Sequence, residues 1–446
     1  MRAWTIVHLT VTIPAILIGA IVQEPTVGLI LTGLYILGLL IWGIVVAVQN
    51  SRKTATPDNI ARIKDTQTAL LANRWTGITQ SKKGLDSALE SIPDDQRLLI
   101  NTAVQTVRLG GYLGPYTDGV YDEDTATRLA LASGARCLVV EVDRESDAPL
   151  KPVLVYRDAW GMKYSLNTGD LNKVAKSIQG RAFRAASDGT AAGVANDPLL
   201  VVLYFVSAPD PASTPKDYIR FLANTAEALQ PLAPLLVAQT PSGDFRRQQQ
   251  ESQLFFYPAN TFNNRILMLT NADTTAFRQL RALGLDHEIK SSQDLDLMIH
   301  ARLYSRESPS GLGISSAPNS TQAAAAVITS DNYWLTMPPD RLADAQSQTK
   351  KAWTLVMPPI ASESSSASLK DGLKKILTTY GVQAVPFVLF DPPTVTDGYV
   401  GAGAPFQSSA WVVKPELIRF IPPRPIVTQK PIPQTNSGGG ALVAPR

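Results

Sequence analysis

The chain has 446 residues and is 45% apolar, which is enough to bury a sizeable core and excludes a wholly disordered protein. Its 41 basic and 38 acidic residues give a formal net charge of +3, so no field strong enough to hold nucleic acid is expected. The single cysteine, Cys137, excludes an internal disulfide and indicates a main domain facing a reducing compartment.

Two apolar segments open the sequence, one over residues 4–22 and one over residues 28–48. Apart from His8 they contain no acidic or basic residue, and each is close to the roughly 20 residues that span a bilayer core. The first fifty residues are therefore predicted to form a transmembrane helical hairpin, domain 1–50.

The flanks of this hairpin predict its orientation. Arg2, Arg52 and Lys53 lie outside the two apolar segments, while the joining loop carries only Glu24. Because basic residues favour the cytosolic side, both ends of the hairpin and the main domain are predicted to be cytosolic.

Three further regions follow along the chain. Residues 51–98 are charged, with apolar residues at helical spacing, and are predicted to form a helical stalk or linker. Residues 99–420 are predicted to form the main domain. Residues 421–446 are rich in proline and glycine, which favours an extended C-terminal arm.

Short apolar runs alternate with helix-like segments in the main domain. The runs cover residues 98–107, 136–142, 152–156, 199–206, 234–238, 265–270, 296–304, 353–357 and 384–390. Strands that are apolar on both faces and separated by helices indicate parallel βαβ units. We predict an α/β fold, a (β/α)₈ TIM-like barrel that is complete, incomplete or distorted, with loops at residues 305–330 and 361–368.

The functional site of such a barrel lies at the carboxyl ends of its strands. Polar residues at these positions are Arg108, Glu141, Asp143, Arg157, Asp158, Asp210, Gln239, Asn271, Asp273 and Asp391. Glu141 and Asp143 are two residues apart on one strand, so both carboxylates share one face and could begin a divalent-cation site. The alternative is that one of them pairs with Arg157.

Histidine and nucleophile patterns argue against common catalytic sites. The three histidines are His8 in the first apolar segment, His287 after a helix-like segment and His300 within a predicted strand. No two of them are expected at the mouth, and the sequence has no serine-nucleophile, phosphate-loop, dinucleotide or zinc motif. We therefore predict no catalytic residue, no metal and no cofactor.

The order of several motifs resembles the X-domain of phosphatidylinositol-specific phospholipase C, a barrel family. The motifs are LASGARCLVVEVD, PVLVYRD, VAKSIQGRAF and NDPLLVVLYF, and the likeness covers residues 99–280, with weaker similarity to about residue 420. GDFRRQ, TNADTTAFR, VPFVLFD and the KPELIRFIPPRPIVTQKPIPQ tail resemble phospholipase-C-like proteins encoded by large DNA viruses.

The chain departs from that family where the chemistry would occur. The family cleaves phosphodiesters with two histidines, but Arg157 and then Asp158 stand where the second histidine and a glycine are expected. No histidine occupies the first position, where Arg108 or Tyr112 is nearest, and Glu141 lies near an acidic position of the family. Arginine stays protonated at working pH, so acid–base catalysis is lost although phosphate could still bind.

The resemblance implies a membrane-anchored, catalytically inactive phospholipase-C-like barrel with a structural or interaction role. It would be a minor virion protein that bridges the internal membrane and the capsid of a large DNA virus. Its expected partners are the bilayer, through residues 4–48, and other virion or membrane proteins, with phosphate or a lipid head group as a possible ligand. Two alternatives are an active phosphodiesterase with a non-histidine site and a phosphoinositide head-group binder.

Overall fold

A computed structural model describes residues 24–27, 30, 32–38, 55–76, 82–145, 148–157, 163–185, 190–237, 251–305, 324–358 and 366–423. Most of the predicted hairpin and of the C-terminal arm lies outside these ranges. Residues 25–27, 30 and 32–38 are helical. Within the described ranges, no helix is both long and apolar enough to cross a bilayer.

The core of the fold is a closed barrel of parallel strands. The strands in chain order are β1 (Thr102–Arg108), β2 (Tyr112–Gly114), β3 (Val120–Tyr121), β4 (Cys137–Arg144), β5 (Pro152–Val153), β6 (Leu199–Phe205), β7 (Ile266–Thr270), β8 (Ala301–Ser305), β9 (Ala326–Thr329), β10 (Trp353–Val356), β11 (Ala384–Val388) and β12 (Trp411–Val413). β1, β4 and β6–β11 are parallel neighbours in that order, and β1 also pairs with β11, so the barrel is complete.

Seven of the nine predicted strands belong to the barrel, and two do not. The run at 152–156 supplies only the short β5, which is antiparallel to the end of β4. The run at 234–238 follows a 3₁₀ helix, Gln230–Leu235, and makes one isolated bridge, from Leu236 to Ile266. Prolines at 231 and 234 lack the N–H groups that a ladder needs, which explains this error. The eighth barrel strand, β9, comes from the end of the segment predicted as a loop.

Helices cover the outside of the barrel. They are α1 (Pro57–Thr76), α2 (Leu85–Leu89), α3 (Glu123–Ala132), α4 (Leu171–Arg181), α5 (Pro215–Ala228), α6 (Asp331–Leu335), α7 (Leu342–Lys351), α8 (Ser366–Thr378) and α9 (Pro393–Val400). Asp122 and Asp170 accept backbone hydrogen bonds at the first turns of α3 and α4. Between β7 and β8, residues 271–300 form 3₁₀ turns instead of an α-helix.

Alternating strand residues form two apolar layers. Val104, Val139 and Val202 pack inside the barrel, whereas their neighbours along the strands pack against the helices. The period of two continues to the ends of the strands. It therefore directs Arg108, Glu141, Asp143 and Tyr204 toward the interior at the carboxyl end of the barrel, which we call the mouth.

Helix α1 packs on the barrel near the mouth. Leu71 and Trp75 are fully buried in the outer apolar layer, and the Trp75 indole N–H donates to the carbonyl of Leu389 at 3.3 Å. Lys64 forms a 2.9 Å ion pair with Asp122. Much of the segment predicted as a stalk is thus in contact with the main domain, while the domain limits themselves stay a prediction.

The opposite end of the barrel contains a buried carboxylate. Asp197 accepts hydrogen bonds from the Leu85 N–H and the Trp411 indole N–H, each at 2.9 Å. Burial raises its pKa to about 6, although the charge of Arg136 and these hydrogen bonds oppose that shift. At pH values between the usual pKa of an aspartate and about 6, Asp197 therefore takes up a proton when the chain folds.

We expect this proton uptake to make stability depend on pH. The stabilising contribution of protonated Asp197 is complete below pH 4 and is lost as the pH rises through about 6. The Asp197→Asn variant should therefore lose less stability than the wild type between pH 4 and pH 7, by roughly 1–3 kcal/mol. Urea unfolding at both pH values measures the free energy of unfolding of each protein. An equal change between pH 4 and pH 7 in the two proteins would contradict the prediction.

Candidate functional site

An ion pair crosses the mouth between β1 and β4. The guanidinium of Arg108 donates from Nε to Glu141 Oε1, and its Nη1 donates to the Pro358 carbonyl at 2.6 Å. The side chains of Arg108 and Glu141 are only 14% and 6% exposed. Arg108, which together with Tyr112 is nearest to the first catalytic position of the resemblance, is therefore a cation that is already bound on two sides.

A second ion pair lies beside the first. Arg157 follows the short strand β5 and donates from Nε to Asp143 Oδ2 at 2.5 Å. The sequence predicts, as one alternative, that Arg157 pairs with one of Glu141 and Asp143, and the partner is Asp143. The other carboxylate oxygen, Asp143 Oδ1, accepts from the Arg144 N–H at 2.7 Å. Asp143 is 2% exposed and Arg157 is 30% exposed, so the arginine is the part of this pair that reaches the rim.

Tyrosines surround the two carboxylates. Tyr204 on β6 lies in register with Glu141. Burial raises the pKa of Tyr204, the charge of Glu141 adds to that shift, and Arg108 opposes it. Burial likewise raises the pKa of Tyr121 well above its usual value, with Glu141 and Asp143 contributing. These hydroxyls stay protonated and are poor bases at neutral pH.

The far side of the mouth holds another buried carboxylate. Asp391, just after β11, accepts hydrogen bonds from the Tyr116 hydroxyl and from the Val388 N–H, the latter at 2.9 Å. Burial raises its pKa, and the hydrogen bonds and the charges of Arg74 and Arg108 oppose the shift. Arg74 of α1 donates to the Asp391 carbonyl, so α1 helps to fix this loop.

Several other predicted residues do not join the site. The Asn271 amide accepts from the N–H of Phe205 at 2.7 Å and donates to its carbonyl at 3.1 Å, which fixes β6. Asp273 caps a 3₁₀ helix, and Asp210 accepts from backbone N–H groups in its own turn. Asp158 and Gln239 lie outside the described residues.

The remaining proton-transfer and nucleophile candidates also lie elsewhere. His300 is buried, accepts from the Met268 N–H at Nδ1 and contacts the Val237 carbonyl through Nε2 at 2.8 Å, as expected of a core histidine. His287 is exposed beside Asp286. Cys137 is buried, and burial raises its thiol pKa to about 12, so it is not a nucleophile at neutral pH.

Metal binding at the mouth would need more ligands than the described carboxylates supply. Within the described part of the chain, no group of three or more His, Cys, Asp or Glu side chains could hold a metal ion. Glu141 and Asp143 each already accept an arginine N–H. A cation would have to displace those arginines. The geometry therefore favours arginine–carboxylate ion pairs at the mouth over a divalent-cation site.

Sequence reasoning missed three groups that shape the mouth, namely Tyr116, Tyr204 and Arg74. Tyr204 could have been found, because the alternation Leu200, Val202, Tyr204 continues an inward face to the strand end. Tyr116 and Arg74 could not, because each reaches Asp391 across more than 270 residues of sequence. No local pattern marks such contacts.

Solved structures with a similar fold include phospholipases C. The L. pealei PLC21 structure has 11% identity and a TM-score of 0.46, over 76% of this chain and 39% of that chain. A calcium-dependent phosphoinositol-specific phospholipase C from a Pseudomonas species has 13% identity and a TM-score of 0.35, over 68% and 95%. The Ca²⁺-dependent phosphatidylinositol-specific phospholipase C of Streptomyces antibioticus has 9% identity and a TM-score of 0.39, over 66% and 97%.

These likenesses concern the fold alone. The chain spans about two fifths of the length of the L. pealei protein. No protein-family model matches the sequence, and no curated protein is significantly similar to it.

Proposed function

We propose that the chain is a membrane-anchored, catalytically inactive phospholipase-C-like barrel that serves a structural or interaction role. The observation that carries the proposal is the state of two arginines: Arg157, where the resemblance expects the second histidine, and Arg108, which with Tyr112 is nearest to the expected first histidine. Arg108 pairs with Glu141, and Arg157 pairs with Asp143. Neither guanidinium can exchange a proton at neutral pH, and each is bound to a carboxylate that would otherwise act as a base or metal ligand.

The setting of this role is a virion of a large DNA virus, where the barrel would join the internal membrane to the capsid. Support comes from the sequence: the two apolar segments within residues 4–48 and the motifs shared with viral phospholipase-C-like proteins. The main domain would then lie on the cytosolic side of the membrane, held close to it by α1.

Membrane extraction tests the anchoring directly. The full chain, expressed in cells, should stay in the membrane pellet after an alkaline carbonate wash and should enter solution only with detergent. In virion preparations it should also co-purify with capsid components after detergent extraction. Release of the intact chain by carbonate alone would contradict the proposed anchor.

A second candidate function is head-group binding without cleavage. Arg157 reaches the rim, and Lys163 lies beside it in a backbone bridge. Burial lowers the pKa of Lys163, and the nearby charge of Arg157 lowers it further. Two neighbouring cations at the rim would gain from a phosphate between them.

Calorimetry with a soluble inositol phosphate tests this second candidate on the full chain in detergent. We expect saturable binding that weakens at least tenfold in the Arg157→Ala variant, because the rim loses its guanidinium. The Arg220→Ala variant, which removes an exposed pair with Glu288, should bind as the wild type does. Equal loss in both variants, or no binding to the wild type, would exclude head-group binding at the mouth.

A further inference from the structure

A cavity lies at the end of the barrel opposite the mouth. Its volume is about 500 Å³, which is within the range of ligand pockets. It lies beside the amino ends of β7 and β8, because Arg265 and Val237 line it and Leu236 bridges to Ile266. The apolar part of its lining includes Leu236, Val237, Tyr257, Phe262, Leu297 and Met298.

Part of this apolar lining is open to solvent. Leu297 is 52% exposed, whereas Phe262 and Met298 are buried. The rings of Tyr257 and Phe262 stand edge to face with centroids 6.2 Å apart. Aromatic-lined grooves of this kind bind proline-rich segments, whose extended conformation loses little entropy on binding.

The described chain ends at the same end of the barrel as this cavity. Asn101 fixes the backbone of Phe420, accepting from its N–H at 2.7 Å and donating to its carbonyl at 2.8 Å. The Phe420 ring packs on Phe256, with centroids 4.7 Å apart. The residue after Phe256 is Tyr257, which lines the cavity, so Phe420, three residues before the described chain ends, lies at the end of the barrel that holds the cavity.

We propose that the cavity is the docking site of the chain's own C-terminal arm, residues 424–446. The arm contains Pro425, Pro431 and Pro433 with Ile426, Val427 and Ile432 between them, which matches an aromatic and aliphatic groove. Ten residues in an extended proline-rich conformation span about 31 Å, so reach is not limiting. A tethered segment also has an effective concentration in the millimolar range, so even a weak site is filled.

Disulfide trapping in the full chain tests the location of the arm. The only native cysteine is buried, so two introduced cysteines report on each other. The pair Leu297→Cys and Val427→Cys should form an intramolecular disulfide at least tenfold faster than the control pair Leu70→Cys and Val427→Cys, since Leu70 is equally exposed on α1. Equal rates would overturn the proposal. Cross-linked dimers would also overturn it, because they would show that the arm binds a second copy of the chain.

A peptide experiment provides the second readout. A chain ending at Pro423 should bind a labelled peptide of residues 424–446, because its cavity is vacated. The Leu297→Glu variant should weaken that binding at least tenfold, whereas Leu417→Glu, at an 86% exposed leucine outside the cavity, should not. Absence of peptide binding, or equal loss in both variants, would overturn the docking site.

Discussion

The Glu141→Ala variant should lose about 3–5 kcal/mol of its free energy of unfolding, because it leaves the guanidinium of Arg108 buried without its carboxylate. The Pro358 carbonyl continues to accept from Arg108, but a neutral acceptor does not balance the charge. Urea unfolding of the full chain, followed by tryptophan fluorescence, measures the loss.

The matched control for this variant is Glu145→Ala, which breaks the exposed pair between Glu145 and Lys151. Exposed pairs contribute about 0–1 kcal/mol, so the control should be nearly neutral. The double variant Arg108→Met with Glu141→Leu should recover most of the loss, since no unpaired charge remains. If Glu141→Ala is no more harmful than Glu145→Ala, the mouth is hydrated and the pair does not close it.

The Arg136→Met variant should lose at least about 3 kcal/mol, because three backbone carbonyls lose the guanidinium as a donor and, among the described residues, only the carbonyl of Ala182 keeps another, the Thr190 hydroxyl at 3.0 Å. Arg136 is fully buried at the end of the barrel opposite the mouth. It donates to the carbonyls of Ala182 at 2.8 Å, Pro198 at 3.3 Å and Asp197, and its guanidinium lies 5.3 Å from the Phe183 ring centre. Burial lowers its pKa to about 10, although the charge of Asp197 opposes the shift.

Urea unfolding again provides the measurement, with Arg220→Met as the control. Arg220 also forms a bidentate contact, with Glu288, but on the surface, so its loss should cost less than about 1 kcal/mol. A similar, small loss in both variants would show that water replaces Arg136 at its three carbonyls.

Local patterns predicted the barrel because its strands are apolar on both faces. Seven strands and the pairing of Arg157 with one carboxylate of β4 follow from such runs and from the short spacing between β4 and β5, whereas the choice of Asp143 over Glu141 does not. β9 was missed because four residues, AVIT, end an alanine- and serine-rich segment whose composition suggests a loop. The run at 234–238 was misread because hydrophobicity outweighed its prolines in the prediction.

The remainder of the site depends on contacts between distant parts of the sequence. Arg108 and Glu141 were both candidates, but their pairing requires the parallel register of β1 and β4, which closes the barrel. The hydrogen bond from Tyr116 to Asp391 requires the loop between β2 and β3 to meet the end of β11. The order of the strands around the barrel determines such long-range contacts, and no single segment of the sequence shows that order.

The rate of head-group release from phosphatidylinositol tests the central claim most directly. The full chain, in mixed micelles with phosphatidylinositol, is assayed for soluble inositol phosphate with calcium and with a chelator. We predict a rate equal to that of protein-free micelles in both conditions, because the arginines at the mouth transfer no proton and occupy both carboxylates. Release above that level which is lost in the Glu141→Gln variant would contradict the account and make the mouth an active site.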